Sequence, residues 1–179
     1  MTALTYSEAQ ERSRLIDVLG YRVELDVTGG DDVFGSVTVA RFGCRTPGAG
    51  SFIEISPARL RRVVLNGQDV DPATLTGNRL PLTGLRPVNE LRVEADMRYS
   101  RTGAGLHRFI DAADGETYLA LHGGLDNAQR VFAAFDQPDL KAVTTAAVVA
   151  PARWTVIGNG LARPAGGSWP PPTLSLIHI

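Results

Sequence analysis

The alternation of apolar and polar positions is clearest in YRVELDVT, residues 21–28. There Tyr21, Val23, Leu25 and Val27 face one way, and Arg22, Glu24, Asp26 and Thr28 face the other. LRVEADMRYS repeats the pattern, with Leu91, Val93, Ala95, Met97 and Tyr99 opposed to Arg92, Glu94, Asp96, Arg98 and Ser100. Further strands are expected at 34–42, 52–55, 60–65, 117–121 and 142–149. Before Gly20 the spacing reads as helical: Ser7 followed by Gln10 resembles a capping box, which predicts a short helix over 8–19. Turn signals separate the strands: Gly29-Gly30-Asp31, Pro47-Gly48, Asn66-Gly67, Gly77-Asn78 and Asp114-Gly115. Half-polar strands joined by short turns indicate an all-β, antiparallel sandwich rather than a parallel sheet.

Composition narrows the picture only a little. A chain of 179 residues, 44% hydrophobic and 21% charged, has room for one domain with a real core. The formal net charge of −1 gives no electrostatic reason to expect nucleic acid or an anionic membrane as partner. The first fifteen residues hold no apolar run of signal-peptide length. With a single cysteine, Cys44, a reducing cytoplasmic setting is expected.

The chain is poor in catalytic patterns. His107, His122 and His178 have no spacing that puts two of them on one helix face, and none is followed by Glu, so the zinc-hydrolase pattern is missing. No Gly-x-Ser-x-Gly elbow occurs, and Gly50-Ser51 heads a strand with no helix after it. Cys44 could be paired on paper with His107 or His122, but a lone cysteine ending a strand reads as packing. Gly103 to Gly105 reads as a hairpin tip, and the basic run ARLRR, residues 58–62, as a solvated strand face.

One segment stands apart. RVFAAFDQPDLKA, residues 130–142, concentrates two aromatics, an acid, an amide and a proline. Asp126 is expected to cap a short helical turn from Asn127 to Arg130, with Phe132 and Phe135 meeting on one side of it as anchors. Pro138 ends the turn and pushes Gln137 toward extended backbone. The physical reading is a rigid, aromatic-pinned crossover between two strands.

FDQPDLKA, with Arg130 and Phe132 before it, resembles the signature near the end of the N-terminal domain of aminopeptidase N-type zinc metallopeptidases. YSRTGAGLHRF, DGETYLA, APARWTVIGN and LNGQDVD resemble the actinobacterial branch of that family, so the likeness covers most of residues 21–159. It implies a saddle-like β-domain, 1–160, packed on a thermolysin-like catalytic domain of the same polypeptide. That second domain would carry the HExxH zinc site and act on the N-termini of peptides. The β-domain of the family closes one wall of the site and lends a Gln-x-Glu loop that holds the substrate's α-amine. Here His122 stands at the Gln position and Gly124 at the Glu position, so the carboxylate is lost. No zinc or catalytic residue is expected in this chain, which alone should be inactive.

Residues 161–173 read as an irregular Gly/Pro-rich segment. LSLIHI, residues 174–179, matches one reading frame of a transposon end used in sequencing libraries, which implies a fragment cut before its catalytic domain. The alternative is a free-standing β-sandwich binding module that uses the 122–124 loop and the 103–105 tip.

Overall fold

The computed structural model describes residues 2–160, so the expectations for 161–173 and 174–179 lie outside it. One helix, Tyr6–Leu15, is followed by ten strands: β1 (Ile16–Asp26), β2 (Val33–Cys44), β3 (Ser51–Glu54), β4 (Arg59–Leu65), β5 (Gln68–Val70), β6 (Arg79–Leu82), β7 (Val88–Arg98), β8 (Gly105–Ile110), β9 (Thr117–His122) and β10 (Val143–Val149). Six of them form the main sheet in the order β10-β1-β2-β7-β4-β5; β3 pairs with β6, and β8 with β9. The chain is all-β, as its alternation implied.

The two strands with the clearest alternation are built as read. Leu91, Val93, Ala95 and Met97 lie at 1% exposure or less on β7, opposite Ala40, Thr38, Ser36 and Phe34 of β2. The start of the chain differs. The helix ends at Leu15 rather than 19, and its cap is Thr5 with Glu8, not Ser7 with Gln10. Ile16 and Val18 are already buried and paired with Cys44 and Phe42. A bulge between Val18 and Gly20 leaves Leu19 unpaired and exposed, and moves the buried set from 16 and 18 to 21, 23 and 25. The change of period near Gly20 is therefore a shift of parity within one strand. Pairing with β2 overrides the local helical spacing.

Two other expectations are corrected. β10 runs parallel to β1, in register from Gly20↔Val143 to Asp26↔Val149, so the sheet is not wholly antiparallel. The chain between β1 and β10, residues 27–142, is far longer than the dozen or so residues that a parallel neighbour needs. Gly103 to Gly105 is not a hairpin tip: β8 starts at Gly105 and pairs with β9, not with β7. Gly105 has φ +72°, and a Cβ there would stand 3.0 Å from Cβ of Arg130, so the close approach of that residue requires glycine. At the Asn66-Gly67 turn both residues have positive φ, as a two-residue hairpin between β4 and β5 demands.

Over the core face of the sheet, β3 and β6 contribute Ile53, Leu80 and Leu82, each fully buried. The crossover adds Val131, Ala133 and Phe135 to the same cluster. These make the second layer on one side. The β8–β9 hairpin lies over the same face farther along, near β1 and β10.

Candidate functional site

The crossover is fixed from its backbone outward. Asn127 precedes a 3-10 turn, Ala128–Arg130, without a side-chain cap, and Asp126 sits at φ +60°, so Asp126 does not cap it. The turn stops before Phe132 and Phe135 could share a side of it. They are separate anchors instead: Phe132 meets Tyr21 edge-on at 6.0 Å, and Phe135 meets Phe42 at 5.1 Å. Glu54 of β3 exchanges both backbone hydrogen bonds with Ala134. The Phe135 N–H donates to the Tyr21 hydroxyl at 2.9 Å, and the Ala133 N–H to Thr38 Oγ1 at 3.1 Å. Beyond Gln137 the chain turns through Pro138, and the Leu140 N–H donates to the Gln137 carbonyl.

Beneath this segment lies a buried polar network. Arg12 is the one buried residue of the helix. Its Nη1 reaches both Glu54 oxygens, at 2.7 and 2.8 Å, and its Nε donates to Gln137 Oε1 at 2.9 Å. The Gln137 amide donates in turn to the Ala9 carbonyl, which ties the crossover to the helix. The Arg12 guanidinium also lies 4.7 Å from the centre of the Phe52 ring. The Gln129 N–H donates to Asp136, and Asn78 donates to Gln129 Oε1 at 2.6 Å. Burial pushes the carboxyls of Glu54 and Asp136 up from their ordinary values, against the pull of Arg12 on Glu54 and of the Gln129 hydrogen bonds on Asp136.

The residues singled out by the family resemblance lie at the rim. His122 ends β9 and is exposed; Gly124 follows in the loop, and a Cβ there would meet His122 Nε2 at 3.3 Å. The Asn127 N–H donates to the Gly124 carbonyl. This loop leads directly into the braced crossover. Cys44 is buried, and its thiol donates to the Thr46 carbonyl, a packing arrangement. In the basic run, Arg61 pairs with Asp96 and Arg62 with Asp69 at the surface.

Arg12 and Glu54 were not among the candidates read from sequence. Glu54 did carry a signal: a lone charge inside the apolar stretch FIEI implies a buried partner. That partner lies 42 positions away and could not be named from spacing.

Among the described residues, no three of His, Cys, Asp and Glu stand together so as to hold a metal ion. No described helix is long and apolar enough to cross a membrane. The molecule so described is a β-domain whose polar chemistry is spent on bracing one crossover.

Comparison with known proteins gives the class a family. The chain is 44% identical over 162 residues to Aminopeptidase N of Streptomyces lividans, covering 88% of this chain and 19% of that protein. An M1 zinc metallopeptidase from Deinococcus radiodurans has the same fold over 75% of this chain and 32% of its own, with a TM-score of 0.54 at 19% identity. Leukotriene A4 hydrolase from Saccharomyces cerevisiae matches over 76% of this chain and 23% of its own, with a TM-score of 0.60 at 16% identity. The chain matches no protein-family model. It belongs to the aminopeptidase N-type metallopeptidases and corresponds to their N-terminal domain, spanning about a fifth of the curated relative's length. The Deinococcus relative is a zinc enzyme by name, whereas the described residues of this chain offer no donor set that fits the metal.

Proposed function

We propose that residues 1–160 are the N-terminal β-domain of a cytoplasmic, zinc-dependent aminopeptidase whose catalytic domain lies on the same polypeptide. The observation that carries this reading is 44% identity over 162 residues. In the full enzyme the metal and general base come from the catalytic domain, and peptides are the substrates. A variant of the Deinococcus enzyme bound to a Tyr-Ser-Ala substrate has the same fold over this region, with a TM-score of 0.55.

The role of this domain is then to position a wall. The network from Arg12 through Glu54 to Gln137 holds the crossover, and the crossover holds the loop of His122 and Gly124 beside the substrate's amino end. With glycine at 124 no carboxylate stands at that position, and the catalytic domain supplies the charge that meets the amine. His122 can offer a hydrogen-bonding ring nitrogen.

The test is hydrolysis of an amino-acid p-nitroanilide series. The 179-residue chain should release nothing above a buffer blank, and the protein from the uninterrupted gene should be active and sensitive to a chelator. Chelator-sensitive release by the short chain would sink the reading.

A further inference from the structure

The brace under the crossover holds two carboxylates and one guanidinium. Arg12 spends Nη1 on both oxygens of Glu54 and Nε on Gln137, and its Nη2 meets no acceptor among the described residues. Asp136 is the second acid. Its backbone N–H donates to Glu54 Oε2 at 3.3 Å, which sets the two acidic residues side by side. Among the described residues the Asp136 carboxylate is paired with no cation. It is met by the Gln129 N–H at 3.2 Å and by the Gln129 side-chain amide, both neutral.

The elements packed around Asp136 leave this imbalance standing. β3 presents Glu54, and the helix presents Arg12, already engaged by Glu54. β1 presents the neutral Tyr21 hydroxyl, which accepts the Phe135 N–H. Arg79 is turned to Glu8, and Arg130 lies against Gly105 with its Nε unpartnered. Gln129 is buried and fixed from the far side: its Oε1 accepts from Asn78 at 2.6 Å, and its carbonyl accepts the Ser56 N–H at 2.7 Å. Burial is the main reason the Asp136 carboxyl stands above its ordinary value of 3.8, and the charge of Asp126 in the preceding loop pushes the same way.

We propose that Asp136 is a proton-operated latch on the wall loop. With its proton bound, the turn Ala128–Arg130 closes firmly on the brace. With the proton gone, a second negative charge stands beside Glu54, and the turn loosens together with the His122–Gly124 loop that leads into it. The link is direct, because the Asn127 N–H donates to the Gly124 carbonyl and the Arg130 N–H to the Asn127 carbonyl. The folded state holds this proton more tightly than the unfolded chain does. The contribution is therefore complete below 3.8 and is lost as pH rises through the raised folded value. Glu54 titrates in the same direction, but it has Arg12 to answer its charge. The consequence for a substrate wall rests on the aminopeptidase reading; the titration itself does not.

The experiment compares the 179-residue chain with its Asp136→Asn variant, an isostere that keeps an acceptor oxygen for the Gln129 N–H and carries no charge. Hydrogen exchange of the amides from Gly124 to Val131, corrected for intrinsic rates, is read at pH 7 and near pH 4. At pH 7 the variant should exchange more slowly over this stretch, by about threefold or more, and the gap should close near pH 4. Equal or faster exchange in the variant at pH 7 overturns the proposal. So does slower exchange by the same factor at both pH values, which would make the change one of packing. A second measurement needs no variant. The carboxyl carbon of Asp136 and the amide proton of Gln129 should titrate together in the NMR spectrum of the parent, with a midpoint above 3.8. A midpoint at or below that value, or an amide that does not follow the carboxyl, overturns the latch. None of these readouts involves catalysis, so failure here leaves the aminopeptidase reading standing, and an inactive full-length enzyme would leave this one standing.

Discussion

Under the crossover, Glu54 and Arg12 are sealed to within a few percent of full burial, and the backbone of Glu54 is paired with Ala134. Under the β8–β9 hairpin, Leu121 is 44% exposed, and Ile110 on the same hairpin is 62% exposed. The two sides lie over one sheet and a single hydrophobic cluster, yet among the described residues one is closed and the other open. The sealed side is costly to build, because desolvating an ion pair must be repaid by good geometry and full hydrogen bonding. Among the described residues, one side carries a sealed ion pair and the other an apolar trough open to solvent. The difference places the buried polar bracing on the crossover side and the exposed apolar surface on the hairpin side.

The largest expected effect tests the sealed side. Arg12→Met leaves Glu54 buried without its cation and should cost about 3–5 kcal/mol in urea unfolding. The pH dependence has a definite sign. The Glu54 carboxyl is already raised by burial, so the folded state takes up its proton at a higher pH than the unfolded chain does. That contribution is fully present below the usual glutamate value of 4.5 and is lost as pH rises through the raised folded value. Asp136 shifts in the same direction. The variant should therefore recover stability relative to the parent on acidification, and a double Arg12→Met, Glu54→Met chain should recover most of it at neutral pH. A loss that is the same at every pH, and is not relieved in the double variant, would show that Arg12 acts by packing alone.

The open side should behave differently. Leu121→Ser removes an apolar group that already meets solvent, so unfolding of the 179-residue chain should change by no more than about 0.5 kcal/mol. Dye binding and self-association should both fall, because the exposed patch shrinks. A loss of several kcal/mol would mean the hairpin is already packed as a finished surface, and the contrast between the two sides would collapse.

How far the sequence reveals these two sides follows from the range of the interactions. Alternation on β2 and β7 is local, and Phe34 to Phe42 and Leu91 to Met97 could be assigned by parity alone. The bulge at Leu19 was hidden because a parity shift and a helix-to-strand change look alike over five residues. The parallel placing of β10 is decided by where a long crossover returns the chain, which no window of sequence holds. At the site, the aromatic anchors of the crossover were legible as residue types, but their partners were not. Arg12 looks like any helix-surface arginine until Gln137, 125 positions later, accepts its Nε hydrogen. His122 and Gly124 were reached through family resemblance, and their places on the rim follow from β9 and the turn after it.

The smallest effect concerns the clasp that holds the helix against the sealed side. Glu8 caps the helix through Thr5 and binds Arg79 at 2.6 Å, and the hydrogen bond from Arg79 is the main reason its carboxyl is held down at about 2. A carboxyl depressed in the folded state contributes stability above its ordinary value of 4.5, and that contribution is lost as pH falls through about 2. This is opposite in sign to Glu54, so the two can be separated in one titration. Glu8→Gln should lower the melting temperature slightly at pH 7, and the gap from the parent should close between pH 4.5 and 2. The pair is partly solvated, with 22% and 31% of the two side chains exposed, so added salt should also narrow the gap. A gap that persists at low pH would assign the effect to the neutral cap hydrogen bond at Thr5. The helix would then be held to the domain through Arg12, with the surface clasp contributing only to its first turn.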